Sequence, residues 1–145
     1  VLLITGEKYF NDYKNIDIPK NVKVVPFLSE LINLLKNTDL IVSRAGASTI
    51  AVITAIGLPS ILVPSPYVTN NHQLKNAKEL EKNEACYIIE EKDFSKDNLI
   101  PLIDKILNDK TLYQNMKNKT KKLGVTDSAT RVYNEIKKVV EVYET

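Results

Sequence analysis

At 145 residues, with 43% apolar and 26% charged side chains, the chain is long enough to bury one substantial core and has the composition of a single globular domain spanning residues 1–145. A formal charge of +2 gives no ground for a nucleic-acid partner, and no apolar run is long enough for a membrane-spanning helix. The lone cysteine, Cys86, rules out an internal disulfide or a cysteine-rich metal site and reads as a buried thiol.

Residues 1–5 open the chain as a short apolar strand; with no leader pattern and no initiator methionine, they predict a cytoplasmic chain that is a piece of a longer one. A second strand is expected at 22–25. Ser29 then opens a helix with Leu31, Ile32, Leu34 and Leu35 on one face. A third strand at 40–42 leads into a helix over 48–56, closed by Gly57-Leu58-Pro59, and a fourth strand follows at 60–63. A helix over 72–82 and a fifth strand at 85–89 complete an alternating pattern. Beyond Glu90 the strands stop. Helices are expected over 95–107, with Pro101 kinking it or delaying its start, over 110–123, and over 127–143. The last carries an apolar stripe of Ala129, Val132, Ile136, Val139 and Val140, for which core packing is the expected use. Lys117, Lys119, Lys121 and Lys122 read as a solvated helix face. Strands alternating with helices imply an α/β fold, a Rossmann-like parallel sheet flanked by helices and doubly wound, followed by a helical C-terminal segment.

Two loops of this fold carry the chemistry. Ser43-Arg44-Ala45-Gly46-Ala47-Ser48-Thr49-Ile50 joins a strand to a helix through a glycine, small residues and hydroxyls. A helix start presents unpaired N–H groups and the positive end of the helix dipole, so this loop suits a phosphate; an ordinary turn capped by Ser48 or Thr49 is the alternative. The second loop, Ser65 to Gln73, is polar and contains the sole histidine, His72. In an open parallel sheet both loops lie at the carboxyl ends of their strands, where such folds bind ligands. A dinucleotide-binding dehydrogenase is disfavoured because no G-x-G-x-x-G follows a strand, and a hydrolase because nothing marks a nucleophile elbow. No metal site or cofactor is expected.

Val25-Pro26-Phe27-Leu28, the run Asp39 to Thr49, Gly57-Leu58-Pro59-Ser60-Ile61-Leu62-Val63-Pro64 and Asn70-Asn71-His72-Gln73 with Asn76-Ala77 together resemble the MurG family of glycosyltransferases, glycosyltransferase family 28. The resemblance runs from Val1 to about Val140 and covers most of the C-terminal, UDP-sugar-holding domain of a two-domain GT-B fold. It implies transfer of N-acetylglucosamine from UDP-GlcNAc to undecaprenyl-pyrophosphoryl-N-acetylmuramoyl-pentapeptide, lipid I to lipid II, in peptidoglycan synthesis. The full enzyme would be peripheral on the inner face of the plasma membrane. On this resemblance the backbone of Leu28 pairs with the uracil edge, and Arg44, Gly46, Ala47, Ser48 and Thr49 form the diphosphate loop. His72, Gln73 and Asn76 serve the sugar or its phosphates.

Three departures accompany it. The N-terminal domain, with the acceptor site and the proposed base, is absent, and so is the opening strand and glycine-rich loop of the donor domain. Val52 stands where the family has a glutamate that holds the ribose hydroxyls; losing such a charge-assisted pair costs roughly 1.5 to 3 kcal/mol, about ten- to a hundredfold in affinity. Ala51 and Leu74 are also apolar where polar residues are usual, the pattern of an engineered or decayed donor pocket. The expectation is a donor-binding fragment inactive alone. The competing reading is a noncatalytic or engineered Rossmann-like scaffold, or a subunit that needs a separate partner chain.

Overall fold

The computed structural model describes residues 1–143, with side chains described through residue 140. They form two compact units, Val1–Leu35 and the chain from Lys36 onward.

In the first unit β1 (Leu2–Ile4) and β2 (Lys23–Val25) pair in parallel, Leu3 opposite Val24. The ladder continues through Lys23 N–H to the Val1 carbonyl (2.9 Å) and Thr5 N–H to the Val25 carbonyl (3.0 Å). The crossover that a parallel pair requires includes a short helix absent from the sequence expectation, α1 (Glu7–Phe10), entered through Gly6 at a positive φ of 76°. After β2 comes α2 (Leu31–Leu35), of whose four leucine and isoleucine side chains only Leu35 is buried. Five residues make little more than one turn, too short to bring all four onto one packed face.

The second unit holds a three-stranded parallel sheet in the order β3 (Ile41–Ser43), β4 (Ser60–Leu62), β5 (Tyr87–Ile88). The five strands are thus parallel throughout but assort as a pair and a triplet. Ile41 lies opposite Ser60 and Ile61 opposite Tyr87, and every residue of β4 is buried, as befits a central strand covered on both faces. Ile61 packs with Ile89, Ile106 and Met116, while the pleat turns its neighbour Leu62 to the opposite face.

Around this sheet lie α3 (Ala47–Ile56), α4 (His72–Lys82), α5 (Lys96–Asn108) and α6 (Lys110–Lys122). Gly57 ends α3 in the left-handed conformation, φ 76° and ψ 42°. A Cβ on Gly124, after α6, would lie 2.5 Å from the Thr54 carbonyl oxygen, so only glycine allows that approach to α3. Buried Thr120 donates across to the Ala85 carbonyl (2.8 Å). Cys86 is buried as expected, and desolvation, with Glu81 adding to it, pushes its thiol up to about 12, so it stays protonated and inert.

Of the two outcomes expected at Pro101 the delayed start fails, and so does core packing of the C-terminal apolar stripe. The Ser95 hydroxyl accepts from Asn98 N–H and pins the start of α5 at Lys96, so Pro101 lies inside the helix without delaying it. The stripe on α7 (Ser128–Tyr143) is not core: Val132, Ile136 and Val139 are each 57% exposed or more, and Ala129 and Val140 are exposed as well. Amphipathic spacing reports that a helix face suits burial but does not supply the surface that would cover it. No helix among the described residues is long and apolar enough to cross a membrane.

Candidate functional site

Strand register brings the ends of β3, β4 and β5 to one edge, where Val63 N–H donates to the Ser43 carbonyl (2.8 Å) and Ile89 N–H to the Leu62 carbonyl (3.0 Å). Just beyond β3, Gly46 precedes α3 in extended conformation, and no side chain caps the helix. The capping alternative for Ser48 and Thr49 is therefore corrected: both lie inside the first turn, since α3 starts at Ala47. Its first hydrogen bond runs from Ile50 N–H to the Gly46 carbonyl (2.9 Å), so the amides of Ala47, Ser48 and Thr49 remain as donors at the positive end of a ten-residue helix. Ala47 and Ser48 are exposed and Thr49 half-buried. Val52, half-buried, follows Thr49 by three residues and shares its helix face.

A second uncapped helix start lies on the loop after β4. Asn70 and Asn71 both take positive φ, 56° and 53°, a conformation asparagine tolerates, and turn the chain into α4. His72 Nδ1 lies 2.9 Å from the Thr69 carbonyl. A carbonyl only accepts, so Nδ1 carries a hydrogen in this contact and Nε2 is left for another partner. The Gln73 side-chain oxygen accepts from Ser65 N–H (2.9 Å), leaving its amide donors available. Asn76 donates to the Ala45 carbonyl (3.4 Å), tying the second turn of α4 to the β3–α3 loop.

Arg44 is engaged within the protein: Nη1 donates to the Val63 carbonyl (3.3 Å) and pairs with the Glu91 carboxylate. Sequence reading did not single out Glu91, which lies far along the chain; the signal available was a carboxylate just past the fifth strand, at the edge where the loops gather. Arg44, Gly46, Ala47, Ser48, Thr49, Val52, His72, Gln73 and Asn76 all belong to the second unit, whereas Leu28 follows β2 in the first. A cavity of about 310 Å³ lined by Lys36, Gly57, Tyr113 and Lys117 does not include the loop residues, because it sits where the chain enters β3 and β4. Among the described residues no three His, Cys, Asp or Glu side chains are grouped to hold a metal.

The family model described as glycosyltransferase family 28 C-terminal domain matches residues 1–132. The UDP-N-acetylglucosamine--N-acetylmuramyl-(pentapeptide) pyrophosphoryl-undecaprenol N-acetylglucosamine transferase of Bacillus pumilus (strain SAFR-032) is 44% identical over 143 residues, 96% of this chain and 39% of that protein. The identically named protein of Bacillus subtilis (strain 168) is 45% identical over 144 residues, again 96% of this chain and 39% of its own. The chain thus spans about two fifths of the length of these relatives. The crystal structure of Acinetobacter baumannii MurG superposes with a TM-score of 0.82 at 26% identity, covering 94% of this chain and 40% of that one. The glycosyltransferase VinC, solved in complex with dTDP, shares the fold with a TM-score of 0.74 at 20% identity, covering 97% of this chain and 34% of its own. With its parallel sheets, its loops gathered at one sheet edge and this match over most of its length, the chain belongs to the glycosyltransferase family 28 C-terminal domain family.

Proposed function

We propose that this chain is the donor-binding part of a hexosyltransferase that uses UDP-GlcNAc and transfers N-acetylglucosamine to undecaprenyl-pyrophosphoryl-MurNAc-pentapeptide. The uncapped start of α3 at the sheet edge, in a chain 44% identical to transferases bearing that name, carries the reading. Both compact units are read as one donor domain. The amides of Ala47, Ser48 and Thr49, presented by Gly46, hold the diphosphate and stabilise the charge that grows on it as the glycosidic bond breaks. Arg44 borders that loop. His72 Nε2, the Gln73 amide and Asn76 meet the sugar or its phosphates, and the Leu28 backbone meets the uracil edge. No cofactor is invoked, because the helix dipole and loop amides supply the electrostatic stabilisation of the leaving group.

Acceptor and donor must be held in one geometry for transfer, and positioning supplies a large share of the rate. The acceptor site and the base belong to an N-terminal domain outside this chain, so the chain by itself is inactive. The lipid-linked acceptor places the complete enzyme peripherally on the cytoplasmic face of the membrane.

Val52 favours a second reading, a noncatalytic scaffold or a subunit completed by a partner chain, because a valine cannot accept from ribose hydroxyls. An NMR titration with UDP-GlcNAc separates the two. Saturable shifts at Leu28 and Ala47 to Thr49 are expected, with V52E tightening binding about ten- to a hundredfold if a charge-assisted pair is restored. A folded chain whose amides ignore UDP-GlcNAc both as it stands and as V52E excludes the donor-site reading.

A further inference from the structure

Resting on the reading that the loop at 44–49 holds the donor diphosphate, we infer that Glu91 is a positioning residue for that loop, acting through Arg44. Arg44 follows β3 directly and stands two residues before Gly46, which opens α3. From there its guanidinium reaches the Val63 carbonyl beyond β4 and the Glu91 carboxylate in the turn after β5 (3.3 Å to the carbonyl). One side chain therefore ties together the exits of three neighbouring strands. Glu91 Oε2 is shut off from water and, among the described residues, has no partner except that guanidinium; a carboxylate oxygen so placed is tolerated only when paired.

Backbone ladders hold the chain as far as Ser43, Val63 and Ile89, and they stop there. Until the Gly46 carbonyl takes up the first hydrogen bond of α3, the restraints on Arg44 and Ala45 are side chains: the Ser43 hydroxyl on the Arg44 carbonyl (3.2 Å), Asn76 on the Ala45 carbonyl, and Arg44 itself. Without the Glu91 carboxylate, Arg44 retains one hydrogen bond to a neutral carbonyl, weaker than a charge-assisted pair, and its half-exposed side chain regains rotamer freedom. The amides of Ala47 to Thr49 would then have to be ordered by the ligand, at a cost in affinity.

Calorimetric titration with UDP, using this chain, E91Q, E91D, R44M and R44M/E91Q, tests the assignment. E91Q should weaken UDP binding about three- to tenfold, since the pair is partly exposed, with E91D recovering part of the loss. Because Glu91 acts through Arg44, the double variant should bind within about twofold of R44M alone, a non-additivity that general destabilisation would not produce. Amide spectra establish folding for each variant, and E91D, which keeps the charge, carries the test if E91Q does not fold. Binding by E91Q that equals or exceeds that of the unaltered chain, or losses that multiply in the double variant, overturns the role of Glu91 while leaving the donor site standing. If the unaltered chain does not bind UDP, the same series is read in the V52E background, and failure of both backgrounds to bind overturns the donor site and the role of Glu91 together.

Discussion

The two compact units use the same parallel strand pairing with very different packing. In β4 of the second unit every residue is buried, and Ile61 sits in a cluster supplied by α5, α6 and the residue after β5. In β1 of the first unit Leu3 and Ile4 are exposed, and among residues 1–35 only Leu35 is buried. The hydrogen bonds that extend the ladders are 2.9 and 3.0 Å in the first unit and 2.8 to 3.1 Å in the second, so the difference lies in side-chain burial, which supplies most of the stability of a sheet. The loop proposed to hold the diphosphate is built on the packed unit, and Leu28, proposed to meet the uracil edge, on the thin one. On that proposal anion binding and base recognition rest on scaffolds of unequal burial.

The largest effect should come from the packed sheet. Ile61→Ala removes a fully buried side chain and should destabilise the chain by about 2 to 5 kcal/mol, whereas Leu3→Ala should cost less than about 1 kcal/mol. Urea unfolding of both variants tests this, and equal losses would erase the contrast between the units. A smaller loss is expected for Gly124→Ala. Its Cβ would press on the Thr54 backbone, and separating α6 from α3 should cost about 1 to 3 kcal/mol, read by the same unfolding with amide shifts concentrated in α3. If Leu3 signals moved as much as those of α3, the units would be unfolding together.

The smallest effect concerns Asp127 at the start of α7. A hydrogen bond from Arg131 holds the Asp127 carboxyl below its ordinary 3.8 against opposing desolvation, with the Arg131 charge and a backbone hydrogen bond adding to the lowering. A lowered folded value means that the contribution is present above 3.8 and fades as pH falls through the lowered value. NMR titration of Asp127 should therefore show a midpoint below 3.8 and late fraying of the first turn of α7, with no matching change in the sheet. Arg131→Gln should return the midpoint toward 3.8.

Much of the second unit was legible in sequence because its signals are local. A small-residue loop before a helical run, Gly57-Leu58-Pro59 after it and an apolar strand next specify a βαβ unit within about two dozen residues, and His72–Lys82 forms at the expected bounds. Its amphipathic spacing and lack of helix breakers need no distant partner. Short α1 was missed because four residues carry too little periodicity to detect. The N-terminus of α3 was half legible. A strand, a glycine and a helix pointed to an anion loop, but whether Ser48 and Thr49 would cap depended on the residue at which the helix began, a boundary that patterning resolves poorly.

By itself the sequence determined where the strands and the longer helices lie, that the strands must run parallel, and which loops gather at their carboxyl ends, because propensity, periodicity and crossover length act over short stretches of chain. Tertiary structure alone decided the division of five strands into a pair and a triplet, the pairing of Arg44 with Glu91, and the exposure of the α7 stripe. Each of these depends on surfaces far apart in sequence. An apolar stripe or a lone charge states what a residue can pair with, and only the folded chain supplies or withholds the partner.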